Sequence, residues 1–428
     1  MLLADSFGGL WVRVFGSLAA LLFSLVVARF LGAGEAGIFF LALAVINIAS
    51  IVGRGGLDTA SVKISGREYR RSNEPVVLGA WLAAVLVGLL ISSLLALSLG
   101  HFSGLLARTV FHKPLLSRDL SILAPSVPLI AFIFVQAAFF MGIRKTTLSF
   151  SLQNAAIPFL TLVVLAVAYA MQYRLPMAHA YLIGAGVACA TALAAWIWTF
   201  RNHWGNLDFS LVSELLHTSP AFLCTAVLNR IIARWSAIVL LGIWDTNVDV
   251  AHFTVAARAT MLISFTLTIV NAVVAPRIAR YYAQGDSSRV RQSCDIASGI
   301  ALATALPVML VFVLLPGLVM GAFGAEFRGA VVILVVLSVG EFINVLAGPV
   351  GMLLQMTGNE KTYRNCTFAS AVAQLVLCLL LIPQFGALGA AVATASAIVV
   401  TNGLSLIFAK RALGFIPSAV RATTAIRG

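Results

Sequence analysis

Charge is scarce in this chain. Of its 428 residues only 15 are acidic and 28 are lysine or arginine, so charged residues make up 10% of the whole, against roughly 25% in an average soluble domain. Hydrophobic residues reach 61% and the mean hydropathy is +1.02. Apolar stretches of about twenty residues recur along the full length, which leaves no soluble domain of useful size. A soluble enzyme is thereby excluded, and any site lies within a membrane or in short loops. Cysteine is also sparse: Cys189, Cys224, Cys294, Cys366 and Cys378 are odd in number, sit in or beside apolar segments and show no C-x-x-C spacing. That excludes a disulfide framework and a zinc site. The six histidines are scattered, so no metal or organic cofactor is implied; coupling to a proton or sodium gradient is compatible with this composition.

What is present is a series of apolar runs. Set against a hydrocarbon thickness of about 30 Å, they predict an all-α polytopic membrane protein with twelve spans, near 8–31, 35–58, 75–99, 119–142, 148–171, 177–200, 217–243, 248–275, 293–316, 328–355, 364–383 and 386–409. The first run has no basic segment before it and Arg13 interrupts it, so it reads as a retained helix rather than a signal peptide. With the N-terminus inside, seventeen loop and tail lysines and arginines fall on the inner side and six on the outer, which places both termini in the cytoplasm. Three of the six lie in "HFSGLLARTVFHKPLLSRDL", which reads as an interfacial helix on the outer face. The net charge of +13 is dispersed among loops, a pattern unlike a nucleic-acid-binding face.

The halves share short echoes. "GIRKT" at Gly142 and "GNEKT" at Gly358 each precede a helix, and "FLG" at Phe30 matches "LLG" at Leu240. The offsets predict two six-helix lobes, 1–203 and 204–428, each beginning on the same side of the membrane. Such parallel repeats are related by a pseudo-two-fold axis along the membrane normal and leave a cavity between lobes.

Five arginines fall inside the predicted spans: Arg13, Arg54, Arg230, Arg234 and Arg258. At a lipid-facing helix centre each costs about 2.5–3.5 kcal/mol or more, so they must meet a wet cavity, a partner or the interface. Counting from each helix start, Arg13 lies within snorkelling reach of the cytoplasm, and Arg54, four residues before Asp58, comes close to the cytoplasmic exit of the second helix. Arg230, Arg234 and Arg258 fall near mid-membrane; Glu341 of the tenth span, like Asp58, is a candidate counter-charge or ion-coupling group, a proton-coupling carboxylate and a static salt bridge being the two alternatives for it. The surplus is positive and points to an anion-binding cavity. Guanidinium keeps its charge when desolvated and its forked donors match phosphate oxygens. Asn47, Asn154, Asn229, Asn271 and Asn344 are polar cavity candidates for sugar hydroxyls, with interhelical hydrogen bonding as the structural alternative.

The stretch "ARFLGAGEAGIFFLALAVINIASIVGRGGLDTASVK", residues 28–63, together with the "GNEKT" loop, resembles bacterial polysaccharide flippases: Wzx-type O-antigen and exopolysaccharide transporters of the MATE-like superfamily. The resemblance implies two lobes around a cationic cavity that moves a polyprenyl-diphosphate-linked oligosaccharide from the cytoplasmic to the outer leaflet of the bacterial inner membrane, for lipopolysaccharide or other surface glycan. It also implies membrane lipids and glycan polymerase or assembly proteins as partners. Arginines on the first, second and eighth helices of the related lipid II flippase are matched, by helix number, by Arg13, Arg54 and Arg258. Two alternatives remain open. A drug or cation antiporter on the same fold predicts an acidic cavity. An integral-membrane ligase or glycosyltransferase calls for a large outer loop or paired carboxylates, and the longest outer loop is only about twenty residues.

Overall fold

The structure, a computed structural model, describes residues 2–71, 73–201 and 207–418, without the side chains of 2–11, 13, 228 and 229. Arg13 and Asn229 therefore lie outside the described side chains. The described residues form helices and no strand. In chain order these are α1 (Leu2–Gly53), α2 (Leu57–Tyr69), α3 (Glu74–His101), α4 (Ser103–Leu105), α5 (Leu116–Leu123), α6 (Ser126–Gly142), α7 (Thr146–Phe150), α8 (Ala156–Ala170), α9 (Met177–Phe200), α10 (Val212–Ala226), α11 (Ala233–Trp244), α12 (Asn247–Ala283), α13 (Ser287–Leu314), α14 (Pro316–Gly321), α15 (Val331–Ala347), α16 (Val350–Met356) and α17 (Glu360–Leu413). Wider π turns occupy Leu106–Val110, Ser151–Ala155 and Val227–Ile232.

Among the described residues nine helices are long and apolar enough to cross a membrane, or ten when α5 and α6, bent by 48°, are taken together. Two of the nine are far too long for one crossing: Val14–Gly53 has 40 residues and α17 has 54. Both break at a glycine, Gly32 (φ 70°) in α1 and Gly386 (φ 52°) in α17. A carboxylate sits on each break. The backbone N–H of Ala33 donates to Glu326 Oε2 at 2.7 Å, and that of Ala387 donates to Asp245. Each carboxylate thereby satisfies an orphan donor where a helix restarts, next to its positive dipole end.

The chain divides into two compact units, Met1–Val27 with Ile38–Ile231, and Ala28–Gly37 with Ile232–Gly428. In the first, α2 packs on α3, α6 and α10, and α9 on α6 and α8. Lipid supplies no hydrophobic drive between helices, so contact depends on close approach and specific bonds. Gly184 of α9 lies against the Thr161 backbone of α8, where a Cβ would come within 2.8 Å of the Thr161 nitrogen. Trp196 is fully buried, with the rings of Trp81 at 5.1 Å and Phe200 at 4.5 Å. Trp81 Nε1 donates to Gln136 Oε1 at 2.7 Å. In the second unit α12, α15, α16 and α17 pack together around Val270, Val274, Ile278, Val350, Leu353 and Leu354.

Several expected boundaries shift. The second span does not end at 58: the helix breaks after Gly53 and resumes as α2 to Tyr69. The tenth ends at Ala347, because Gly348 (φ 67°) and Pro349 stop α15 before the short α16. The outer segment is not one interfacial helix. It folds as α4, a π turn and α5, and Leu116, Leu120 and Leu123 of α5 are buried against protein. The "GIRKT" and "GNEKT" loops do share a turn. Lys145 N donates to Phe140 O and Asn359 N to Leu354 O, each just after a residue with positive φ, Arg144 or Gly358. The equivalent residues are thus 214 apart, not the 216 of the spelling match.

Candidate functional site

The site grows from the break in the second span. Gly55 (φ 56°) and Gly56 (φ 81°) adopt left-handed backbone, which glycine enters without a Cβ penalty. Leu57 N donates to Arg54 O at 2.8 Å and closes the turn. Space demands glycine here as well: a Cβ on Gly56 would overlap the Ser219 carbonyl oxygen of α10, and one on Gly53 would lie 2.8 Å from Ser92 Cβ of α3.

The turn gives Arg54 and Asp58 distinct settings. Arg54 is 3% exposed. Its Nε donates to Ser50 O at 3.1 Å, and its guanidinium lies 4.2 Å from the centroid of the Phe134 ring. Asp58 lies in the first turn of α2, where a helix N-terminus favours its charge. Its Oδ1 accepts from Thr59 N at 2.9 Å. Its Oδ2 accepts from two arginines, Arg54 Nη1 at 3.4 Å and Arg230 Nη1 at 2.6 Å. Arg230 is half-exposed and sits in the Val227–Ile232 π turn that follows α10. Beside it is a cavity of about 220 Å³ lined by Thr59, Phe222, Thr225, Ala226 and Arg230.

The placement of Arg54 and Asp58 near the cytoplasmic exit is corrected. Phe134, under the Arg54 guanidinium, is eight residues from either end of α6. Ser92, against Gly53, is 18 residues into α3, about 27 Å along its axis. The helical path does not end at residue 58, because α2 adds 13 residues, about 20 Å of helix. The cluster lies deep among the helices.

Arg234, exposed on α11, and Arg258, half-buried on α12, belong to the second unit, so the unit boundary separates Arg230 from its helical neighbour Arg234. Among the described residues the hydrogen-bond partners of Glu341 are polar side chains. Ser264 and Asn344 hydrogen-bond to it, and Asn402 Nδ2 donates to Asn344 Oδ1 at 3.1 Å. Within this cluster the carboxylate that meets Arg54 and Arg230 is Asp58. Asn47 and Asn154 donate to carbonyls of their own helices, Leu43 O and Phe150 O. Asn271 Oδ1 is buried with no partner among the described residues.

Sequence reasoning missed Phe134, Thr59, Phe222 and Thr225. Threonine after a charged residue gave a weak signal for Thr59. The others are ordinary apolar-span residues until the fold brings them to the arginines.

A deep cationic cluster inside a multi-pass, all-helical membrane protein accords with the transporter class to which the family match assigns the chain. The chain belongs to the polysaccharide biosynthesis protein family, which it matches over residues 2–282, and it also matches the MatE family over residues 223–380. A probable low-salt glycan biosynthesis flippase of Haloferax volcanii is 24% identical over 171 residues, 40% of this chain and 36% of the relative, so the match spans little more than a third of that protein. Among solved structures, lipid II flippase MurJ in an inward closed conformation is similar with a TM-score of 0.75 at 15% identity, over 95% of this chain and 87% of that one. An inward-facing multidrug resistance MATE family transporter of the MOP superfamily gives a TM-score of 0.73 at 15% identity, over 96% and 98%. At such identities the likeness is one of fold.

Proposed function

We propose that this protein is a flippase that moves a polyprenyl-diphosphate-linked oligosaccharide from the cytoplasmic to the outer leaflet of a bacterial inner membrane. The observation behind it is the convergence of Arg54 and Arg230 on one carboxylate, Asp58, deep among the helices. Two cations against one anion leave a positive surplus beside a cavity. A diphosphate diester, with two negative charges, matches that surplus with forked acceptors. Family membership and the glycan flippase relative point the same way.

In this reading the chain makes twelve crossings, α1 and α17 each contributing two arms at their glycine breaks, with both termini cytoplasmic. The lobes 1–203 and 204–428 alternate to expose the site to each side in turn. No bond is broken. The arginines hold the diphosphate, cavity side chains such as Thr59 and Thr225 meet the first sugar, and the lipid tail stays in the bilayer. The product feeds surface glycan assembly, O-antigen or exopolysaccharide, by partner polymerases. Fold likeness favours a drug or cation antiporter as second reading, but a cation is repelled by the surplus at Arg54 and Arg230.

The test is leaflet location. In proteoliposomes carrying a lipid-linked oligosaccharide, Arg230→Gln at normal protein levels lowers translocation at least tenfold. Unchanged translocation in that variant overturns the assignment.

A further inference from the structure

Asp58 is an odd neighbour for an anion site, because it occupies the very donors that a diphosphate needs. Its hold on them is incomplete. One oxygen, Oδ2, serves both guanidiniums, at 2.6 Å from Arg230 and 3.4 Å from Arg54, while Oδ1 is turned to Thr59 N. Neither arginine is gripped by a two-pronged pair, the geometry in which guanidinium binds carboxylate or phosphate most strongly. The two arginines differ in access too. Arg54 is buried with its Nε on Ser50 O, whereas Arg230 is 44% exposed and borders the cavity.

We infer that Asp58 is a built-in competitor for the diphosphate: its carboxylate occupies Arg54 and Arg230 in the empty protein, yields them to the incoming anion, and retakes them to eject it. This rests on the reading of Arg54 and Arg230 as the anion site and adds the step that sets affinity and release. Among described residues α6 carries no charged group, α3 has Glu74 and His101 at its ends, and α10 has Glu214 and His217 in its first two turns. The exchange involves Asp58, Arg54 and Arg230, the three side chains joined by hydrogen bonds. A resident carboxylate also explains how two deep cations are tolerated when no substrate is bound, since an unpaired buried charge is strongly destabilising.

The probes are farnesyl diphosphate and inorganic pyrophosphate, titrated by calorimetry into the purified full-length protein. Asp58→Asn, which keeps an acceptor for Thr59 N, binds farnesyl diphosphate about tenfold or more tightly than the native protein, while its translocation slows because release is impaired. Asp58→Glu, which keeps the competing charge, shows no such gain. Equal or weaker binding by Asp58→Asn overturns the inference. Where Asp58→Asn accumulates poorly, pyrophosphate during solubilisation restores it, since an external anion stands in for the lost carboxylate. Absence of any rescue overturns the inference equally. Failure of the underlying site reading looks different: there the native protein and Arg230→Gln bind the probe alike.

Discussion

Gly55 and Gly56 allow a matched pair of substitutions at the break beneath the arginines. Both have positive φ, 56° and 81°, so alanine at either costs about 1–2 kcal/mol of backbone strain. They differ in space. The nearest atom to a Cβ on Gly55 is Ile91 Cδ1 at 4.0 Å, whereas a Cβ on Gly56 would overlap Ser219 O and come within 2.6 Å of Leu223 N. Those are backbone atoms of α10, which cannot turn aside as a side chain can. Overpacking of this kind adds about 1–3 kcal/mol, so Gly56→Ala costs about 2–5 kcal/mol and Gly55→Ala about 1–2. The push has a functional reading as well. Arg230 follows α10 directly, so displacing that helix pulls Arg230 from Asp58, and translocation falls further than in Gly55→Ala. The assay is thermal unfolding of detergent-purified protein, with leaflet translocation measured in parallel. Equal losses for the two variants, or a larger loss for Gly55→Ala, would refute the reasoning that α10 rests on this turn.

The carboxylates at the other two breaks give further expectations. Glu326→Ala removes the acceptor from Ala33 N and lowers stability by about 1 kcal/mol; Glu326→Gln, which keeps an acceptor, loses less, and unfolding midpoints that rank them the other way contradict the cap. Burial, opposed by the Thr246 N–H and reinforced by the Asp249 carboxylate, holds Asp245 above the ordinary carboxylate range. The folded protein then keeps this proton more tightly than the unfolded chain does. Its contribution is complete below about pH 4 and declines as pH rises through the folded value. Asp245→Asn flattens that decline, and a stability profile unchanged by the substitution counts against it.

Much of the architecture was legible because hydropathy is a local property: each apolar run reports by itself that it belongs in lipid. Arginines in such runs were legible for the same reason, since each must find a partner wherever it lies. The identity of the partner was not. Asp58 and Arg230 are 172 residues apart, and no periodicity links them. Helical spacing pairs Arg230 with Arg234, four residues on, whereas the carboxylate that Arg230 meets comes from a distant helix. Glu341 is a candidate counter-charge by depth alone, and its hydrogen-bond partners Ser264 and Asn344 become visible only in the fold.

The sequence by itself determined an all-helical membrane protein, rich in arginine where lipid forbids it, with the pattern of a polysaccharide flippase family. Tertiary structure alone decided the burial of Arg54, the break that puts Asp58 in the first turn of a new helix, and the carboxylate on which two arginines meet. The reason is physical: partition into lipid is settled segment by segment, whereas a charge pair depends on which helices pack together and on where glycine turns stop them.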